Sequence, residues 1–121
     1  MKKIIIAALI TFIVPSAYAN WKNGNDLFIE CESLKANDER KLTRKELDDA
    51  LSCQQYIQGW LDGNSTSGVP LICVPEGVML GSISDMVSSF LEENPSKRHY
   101  PGSSIMVNAL EEFECPDPFV E

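Results

Sequence analysis

The sequence predicts an all-α fold, a small four-helix domain stapled by two disulfides. Apolar residues recur at helical spacing in four segments, and no stretch shows a convincing strand pattern. The four cysteines are even in number and all lie beyond an N-terminal segment built like an export signal. At 121 residues the chain makes one domain at most, and once a leader is removed its core is near the size at which covalent staples are needed.

The leader comes first. Lys2 and Lys3 form a positive n-region, Ile4 to Val14 is apolar but for Thr11, and Pro15-Ser16-Ala17-Tyr18-Ala19 supplies the small residues of an A-x-A cleavage site. A membrane span needs about 20 apolar residues, so this short run predicts a secretory signal peptide over residues 1–19 and a periplasmic mature domain over residues 20–121. No cysteine follows Ala19, so no lipid anchor is indicated, and no membrane association is expected after cleavage.

In the mature chain, Asn25 is placed to cap a first helix whose apolar face carries Leu27, Phe28, Cys31 and Leu34. A charged linker, Lys35 to Leu42, follows. Thr43-Arg44-Lys45-Glu46 then has the form of a capping box, in which the Thr43 hydroxyl accepts from the Glu46 N–H and the Glu46 carboxylate accepts from the Thr43 N–H. Leu47, Ala50, Leu51, Ile57 and Leu61 mark the apolar side of the second helix, and Gly63 is its expected stop in a left-handed conformation. Asn64 to Pro70 is a loop by composition, and Pro75-Glu76-Gly77 a turn. Ile83, Met86, Val87, Phe90 and Leu91 give a third amphipathic helix ending before Asn94-Pro95. A fourth starts near Ser103, buries Met106, Ala109, Leu110 and Phe113, and stops before Cys115-Pro116.

Export makes disulfides the favoured state of Cys31, Cys53, Cys73 and Cys115. None forms a C-x-x-C pair and their spacings match no common zinc-ligand pattern, so neither a metal nor a cofactor is expected. Cys73 precedes the third helix and Cys115 follows the fourth, so antiparallel packing of these two brings the cysteines together. Cys31 and Cys53 come level if the first two helices are antiparallel. Sequence alone leaves all three connectivities open.

With 10 Lys+Arg against 18 Asp+Glu the net charge is −8, which argues against nucleic acid, since phosphate binding depends on cations displacing counterions. His99 is the single histidine, so no site needing two can form. Lys97-Arg98-His99-Tyr100 is the one basic cluster, and pairing of Arg98 with a nearby carboxylate is expected there. Glu46, Asp48, Asp49, Glu92, Glu93, Glu111 and Glu112 are numerous enough to suggest acid/base chemistry, but adjacent carboxylates on helices usually form a solvated face. No Ser-His or Cys-His constellation stands beside them, so no enzyme is expected.

Four segments, in order, resemble one family. They are Cys53-Gln54-Gln55-Tyr56-Ile57-Gln58-Gly59-Trp60-Leu61-Asp62, Ile72-Cys73-Val74-Pro75-Glu76-Gly77-Val78, Phe90 to His99, and Ala109 to Pro116. Their order and spacing over residues 25–116, behind a leader, resemble the Rap/Tai immunity proteins of bacterial type VI secretion. Met79 departs from the pattern, which more often has a hydroxyl residue capping the third helix. The resemblance implies a periplasmic, all-helical, disulfide-bonded protein, often a homodimer, without chemistry of its own. It binds a peptidoglycan amidase that resembles papain-like cysteine peptidases and blocks it by placing a loop in the active-site cleft.

The segment Gly63, Asn64, Ser65, Thr66, Ser67, Gly68 suits that role, being small, polar and flanked by glycines, and is the expected effector-binding site. The same composition is ordinary for a surface connector. Trp60 adjoins it either as an interface anchor or as a core residue of its helix. An alternative from another class is a small periplasmic chaperone of similar helical, disulfide-bonded build, acting by partial unfolding in acid. A secreted amidase reading frame beside the gene distinguishes the two.

Overall fold

The computed structural model describes residues 21–35 and 41–117. The expected signal peptide and most of the linker over 35–42 lie outside them. Four α-helices are present, α1 Gly24–Glu32, α2 Arg44–Thr66, α3 Leu80–Glu93 and α4 Gly102–Ala109, with short 3-10 turns at Ser33–Lys35, Pro95–Lys97 and Glu111–Phe113. Among the described residues there is no strand, only two isolated bridges, Asn23 with Pro101 and Ile72 with Glu114.

Each helix end has an identifiable cause. Asn23, rather than Asn25, caps α1: its side chain accepts from the N–H groups of Asn25 and Asp26 at 2.9 and 3.1 Å, and Asp26 accepts from the Asn23 N–H at 3.0 Å. Two asparagines of equal capping chemistry stand two residues apart, and the one with an acidic residue at the third helical position closes a reciprocal pair. The expected box at Thr43 and Glu46 is formed. Met79 heads α3 with no side-chain cap bond, so the absent hydroxyl is a real loss at that end. At the other end of α3, Phe90 O accepts from both the N–H and the Nδ2 of Asn94, at 3.0 and 2.8 Å, and Leu91 O accepts from Arg98 Nε at 2.7 Å.

The largest departure from the sequence expectation is the end of α2. Gly63 does not stop it: Gly63, Asn64, Ser65 and Thr66 are helical, and only Ser67 and Gly68 belong to the connector. Gly77 is the one described residue with positive φ, so Gly63 takes no left-handed conformation. The cause is side-chain and backbone bonding that extends the helix. Ser65 Oγ and Thr66 Oγ1 donate to the Asp62 carbonyl at 2.9 and 3.0 Å, and Ser67 N–H donates back to Gly63 O at 3.1 Å. α4 likewise begins one residue early, at Gly102, and gives way after Ala109 to the 3-10 turn.

The core joins all four helices: Leu27 of α1, Ile57 of α2, Ile83 and Leu91 of α3, Ile105 and Met106 of α4 are buried. Two buried serines of α3 are satisfied, Ser84 Oγ donating to Leu80 O within the helix and Ser88 Oγ to Cys31 O of α1, so neither buried hydroxyl is orphaned. Leu47 and Leu51, expected on the apolar side of α2, are instead 49% and 45% exposed. Cys53 is bonded to Cys31 and fixes the inward line Ala50, Cys53, Ile57. At about 100° per residue, Leu51 is then turned almost opposite to Cys53.

Both disulfides follow the pairing that helix order favours. Cys31–Cys53 joins α1 to α2 with no solvent exposure, and Cys73–Cys115 ties the segment before α3 to the segment after α4. No described helix is long and apolar enough to cross a membrane.

Candidate functional site

The end of α2 and the connector that follows it form a tip joined to the rest of the molecule by backbone bonds. Cys115 N–H donates to Leu71 O at 3.0 Å, and Cys73 N–H donates to Phe113 O at 2.6 Å. The Cys73–Cys115 disulfide closes the same contact covalently. From the helix side, Asn64 reaches across to residues 71 and 72: its Oδ1 accepts from Leu71 N–H at 2.9 Å and Ile72 N–H at 3.2 Å, while Nδ2 donates to Ile72 O at 2.6 Å.

Of the expected site residues, Gly63, Ser65, Thr66, Ser67 and Gly68 are exposed and Asn64 is half-buried. Their hydroxyls are largely engaged within the tip, Ser65 and Thr66 on Asp62 O and Ser67 on Asn64 O at 2.9 Å. What the tip offers outward is therefore more apolar than its sequence suggested. Val69 and Leu71, two branched aliphatics flanking Pro70, are 69% and 56% exposed. A shallow cleft of about 460 Å³ runs between them and α2, with Trp60, Gly63 and Ser67 on its walls. A second, of about 440 Å³, lies on the other side of Asn64, lined by Leu61, Asp62, Pro70 and Val74. Trp60 packs against the core, and its half-exposed side chain lines the first cleft. Val69 and Leu71 were not among the expected site residues; their signal is two aliphatics flanking Pro70 in an otherwise polar connector.

The side chains of the basic cluster make separate intramolecular contacts. Arg98 donates its hydrogen bonds to the carbonyls of Leu91 and Glu92, while its charge also acts on the nearby Glu92 carboxyl; its guanidinium stacks 3.5 Å from the Phe28 ring centroid. Lys97 lies over the Phe90 ring, and His99 meets the Tyr100 ring edge-on. Elsewhere Lys22 Nζ donates to Glu30 at 2.6 Å and lies over the Tyr56 ring, whose hydroxyl is pushed above its usual range by burial. Lys35 donates to Glu92, and that bond holds the Glu92 carboxyl below the usual range and the Lys35 ammonium above it. Among the described residues no group of three or more His, Cys, Asp or Glu is arranged to hold a metal.

The model of the Rap1a immunity proteins matches residues 23–115, from the cap of α1 to the last cysteine. The chain belongs to the Rap1a immunity protein family. The matched span takes in all four helices, both disulfides and the tip, so family membership applies to the whole described domain. It makes this chain an immunity protein, one that meets a secreted effector as its partner. No curated protein and no solved structure matches the chain.

Proposed function

We propose that this immunity protein is exported to the periplasm, where it binds and inhibits a peptidoglycan amidase delivered by type VI secretion, protecting the cell that makes it. The observation that carries the proposal is the family match over residues 23–115, taken with an export-type leader and two disulfides, which form and persist in an oxidising compartment. The protein acts by occupancy and has no turnover of its own. The tip formed by Gly63 to Gly68, extended through Val69 and Leu71, meets the effector at or near its active-site cleft. A papain-like amidase presents a groove that receives extended peptide stems, and a narrow tip carrying aliphatic side chains on a fixed backbone suits such a groove. A homodimer belongs to the same proposal: Leu47 and Leu51, one turn apart on α2, are the aliphatic surface that a second copy would cover.

The test is protection. Cells producing the amidase in the periplasm survive when the full chain is co-expressed and lyse when the chain lacks residues 1–19. Equal protection by both forms would overturn the periplasmic site of action, and lysis with both would overturn the inhibitory role.

A further inference from the structure

We infer that Asn64 is the positioning residue of the effector-binding tip, fixing through its side-chain amide which aliphatic side chains the connector turns outward. This rests on the proposed effector reading and specifies how that surface is shaped. The amide uses three hydrogen-bonding positions on one short stretch of backbone: Oδ1 accepts from the N–H groups of Leu71 and Ile72, and Nδ2 donates to Ile72 O. Only this orientation of the amide satisfies all three, since the flipped one would set two N–H groups against the nitrogen and a carbonyl against the oxygen. With Leu71 O accepting from Cys115 N–H, both backbone groups of Leu71 are engaged while its side chain stands in solvent.

The consequence is a matter of register. Leu71 is 56% exposed and its neighbour Ile72 only 3%, as expected where successive side chains of an extended segment point to opposite sides. A slip of one residue would send Leu71 inward and Ile72 outward. The Cys73–Cys115 bond limits such a slip from one end only, and the segment back to Ser67 carries few other ties. Asn64 supplies the second fixed point, from a helix turn that is itself anchored. All three bonds go to backbone atoms, so the clamp sets the shape of the tip whatever side chains the connector carries. Ordering the connector in advance lowers the entropic cost of association.

The chemistry is specific to asparagine at this distance. An aspartate would keep acceptors for the two N–H groups but set an anionic oxygen against the Ile72 carbonyl. An alanine removes all three bonds while leaving the helix intact; water reaches the freed Leu71 N–H, whereas the N–H and carbonyl of Ile72, a residue 3% exposed, lose their partner in a largely buried place.

The test uses the full mature chain as wild type, Asn64→Ala and Asn64→Asp. Amide hydrogen exchange is followed at Leu71 and Ile72, and calorimetric titration uses the peptidoglycan amidase encoded beside the gene. Asn64→Ala is expected to lose at least about tenfold in protection at these two amides and at least about tenfold in affinity, equivalent to about 1.4 kcal/mol, whereas Asn64→Asp, which keeps the acceptor, should retain most of the protection and lose affinity through its repulsion of the Ile72 carbonyl. The melting temperature should fall by several degrees in Asn64→Ala with the domain still folded at 25 °C, where binding is measured, and the binding entropy should become less favourable because the connector must then be ordered on contact. Unchanged protection in Asn64→Ala would overturn the clamp. Lost protection with full affinity and unchanged binding entropy would overturn its part in recognition. If the wild type binds no such amidase, the effector reading falls and the recognition role with it, while the exchange data still decide whether Asn64 holds the connector.

Discussion

The two disulfides close spans of 22 and 42 residues, and removing each should cost a different amount for reasons the structure supplies. In the chain-entropy relation these spans constrain the denatured chain by about 3 and about 4 kcal/mol at 25 °C. Taken alone, that ranks Cys73–Cys115 as the more stabilising bond. Burial reverses the order. Cys31 and Cys53 are both 0% exposed inside the core, so Cys31→Ala with Cys53→Ala also leaves a cavity between α1 and α2, adding about 1–2 kcal/mol. Cys73 is exposed, and Cys73→Ala with Cys115→Ala removes little packing. The double variants should therefore lose about 4–5 kcal/mol for the buried pair and about 4 kcal/mol for the exposed pair, against a total stability of about 5–15 kcal/mol for an ordinary domain. Urea unfolding with a common slope measures both. A larger loss for the exposed pair would refute the assignment of a packing role to Cys31–Cys53, and a loss below about 1 kcal/mol for either pair would refute the staple account. In native buffer a thiol reductant should open Cys73–Cys115 first, since its attacking thiolate reaches an exposed sulfur before a buried one; mass spectrometry of alkylated samples reads this order directly.

Three further outcomes are expected. Gly24→Ala should lower stability by about 1–3 kcal/mol in the same urea assay, because an added Cβ would stand 2.6 Å from Arg98 O and 2.8 Å from Arg98 Cα, backbone atoms that cannot swing aside. Glu92, held below its ordinary range by Lys35, stabilises the fold above the ordinary carboxylate range, and that contribution is lost as pH falls through the lowered value; urea midpoints for Glu92→Gln should show a shallower acid decline than wild type. Val69→Asp together with Leu71→Asp should weaken effector binding by about 2 kcal/mol or more by calorimetry, with the melting temperature nearly unchanged because both side chains lie outside the core.

What the sequence made legible was local or periodic. The Thr43–Glu46 box is a contact between residues three apart, and the inward residues of α3 follow the helical period. Helix order favours the observed disulfide pairing without fixing it, since Cys73 meets Cys115 only if α3 and α4 pack antiparallel. The misjudged features depend on contacts that are distant in sequence or on competition between equal local signals. Gly63 reads as a stop because glycine readily takes the left-handed conformation at a helix end, yet inside a helix it costs only about 1 kcal/mol relative to alanine. That deficit is offset at this position by bonds from Ser65, Thr66 and Ser67. Leu47 and Leu51 fit a helical stripe as well as Ala50 and Ile57 do, and only the bond to Cys31 decides which stripe faces inward. The outward turn of Val69 and Leu71 depends on Asn64 meeting residues 71 and 72 through space, which no periodicity encodes.

The measurement closest to the central claim is residual amidase turnover on purified peptidoglycan as the mature chain is titrated into the enzyme encoded beside its gene. The expected result is loss of turnover in proportion to added protein, complete at a fixed stoichiometric ratio, with the Val69→Asp, Leu71→Asp variant requiring a large excess. Undiminished turnover at saturating concentrations of a correctly disulfide-bonded chain would contradict the claim that this protein confers immunity by blocking a cell-wall amidase.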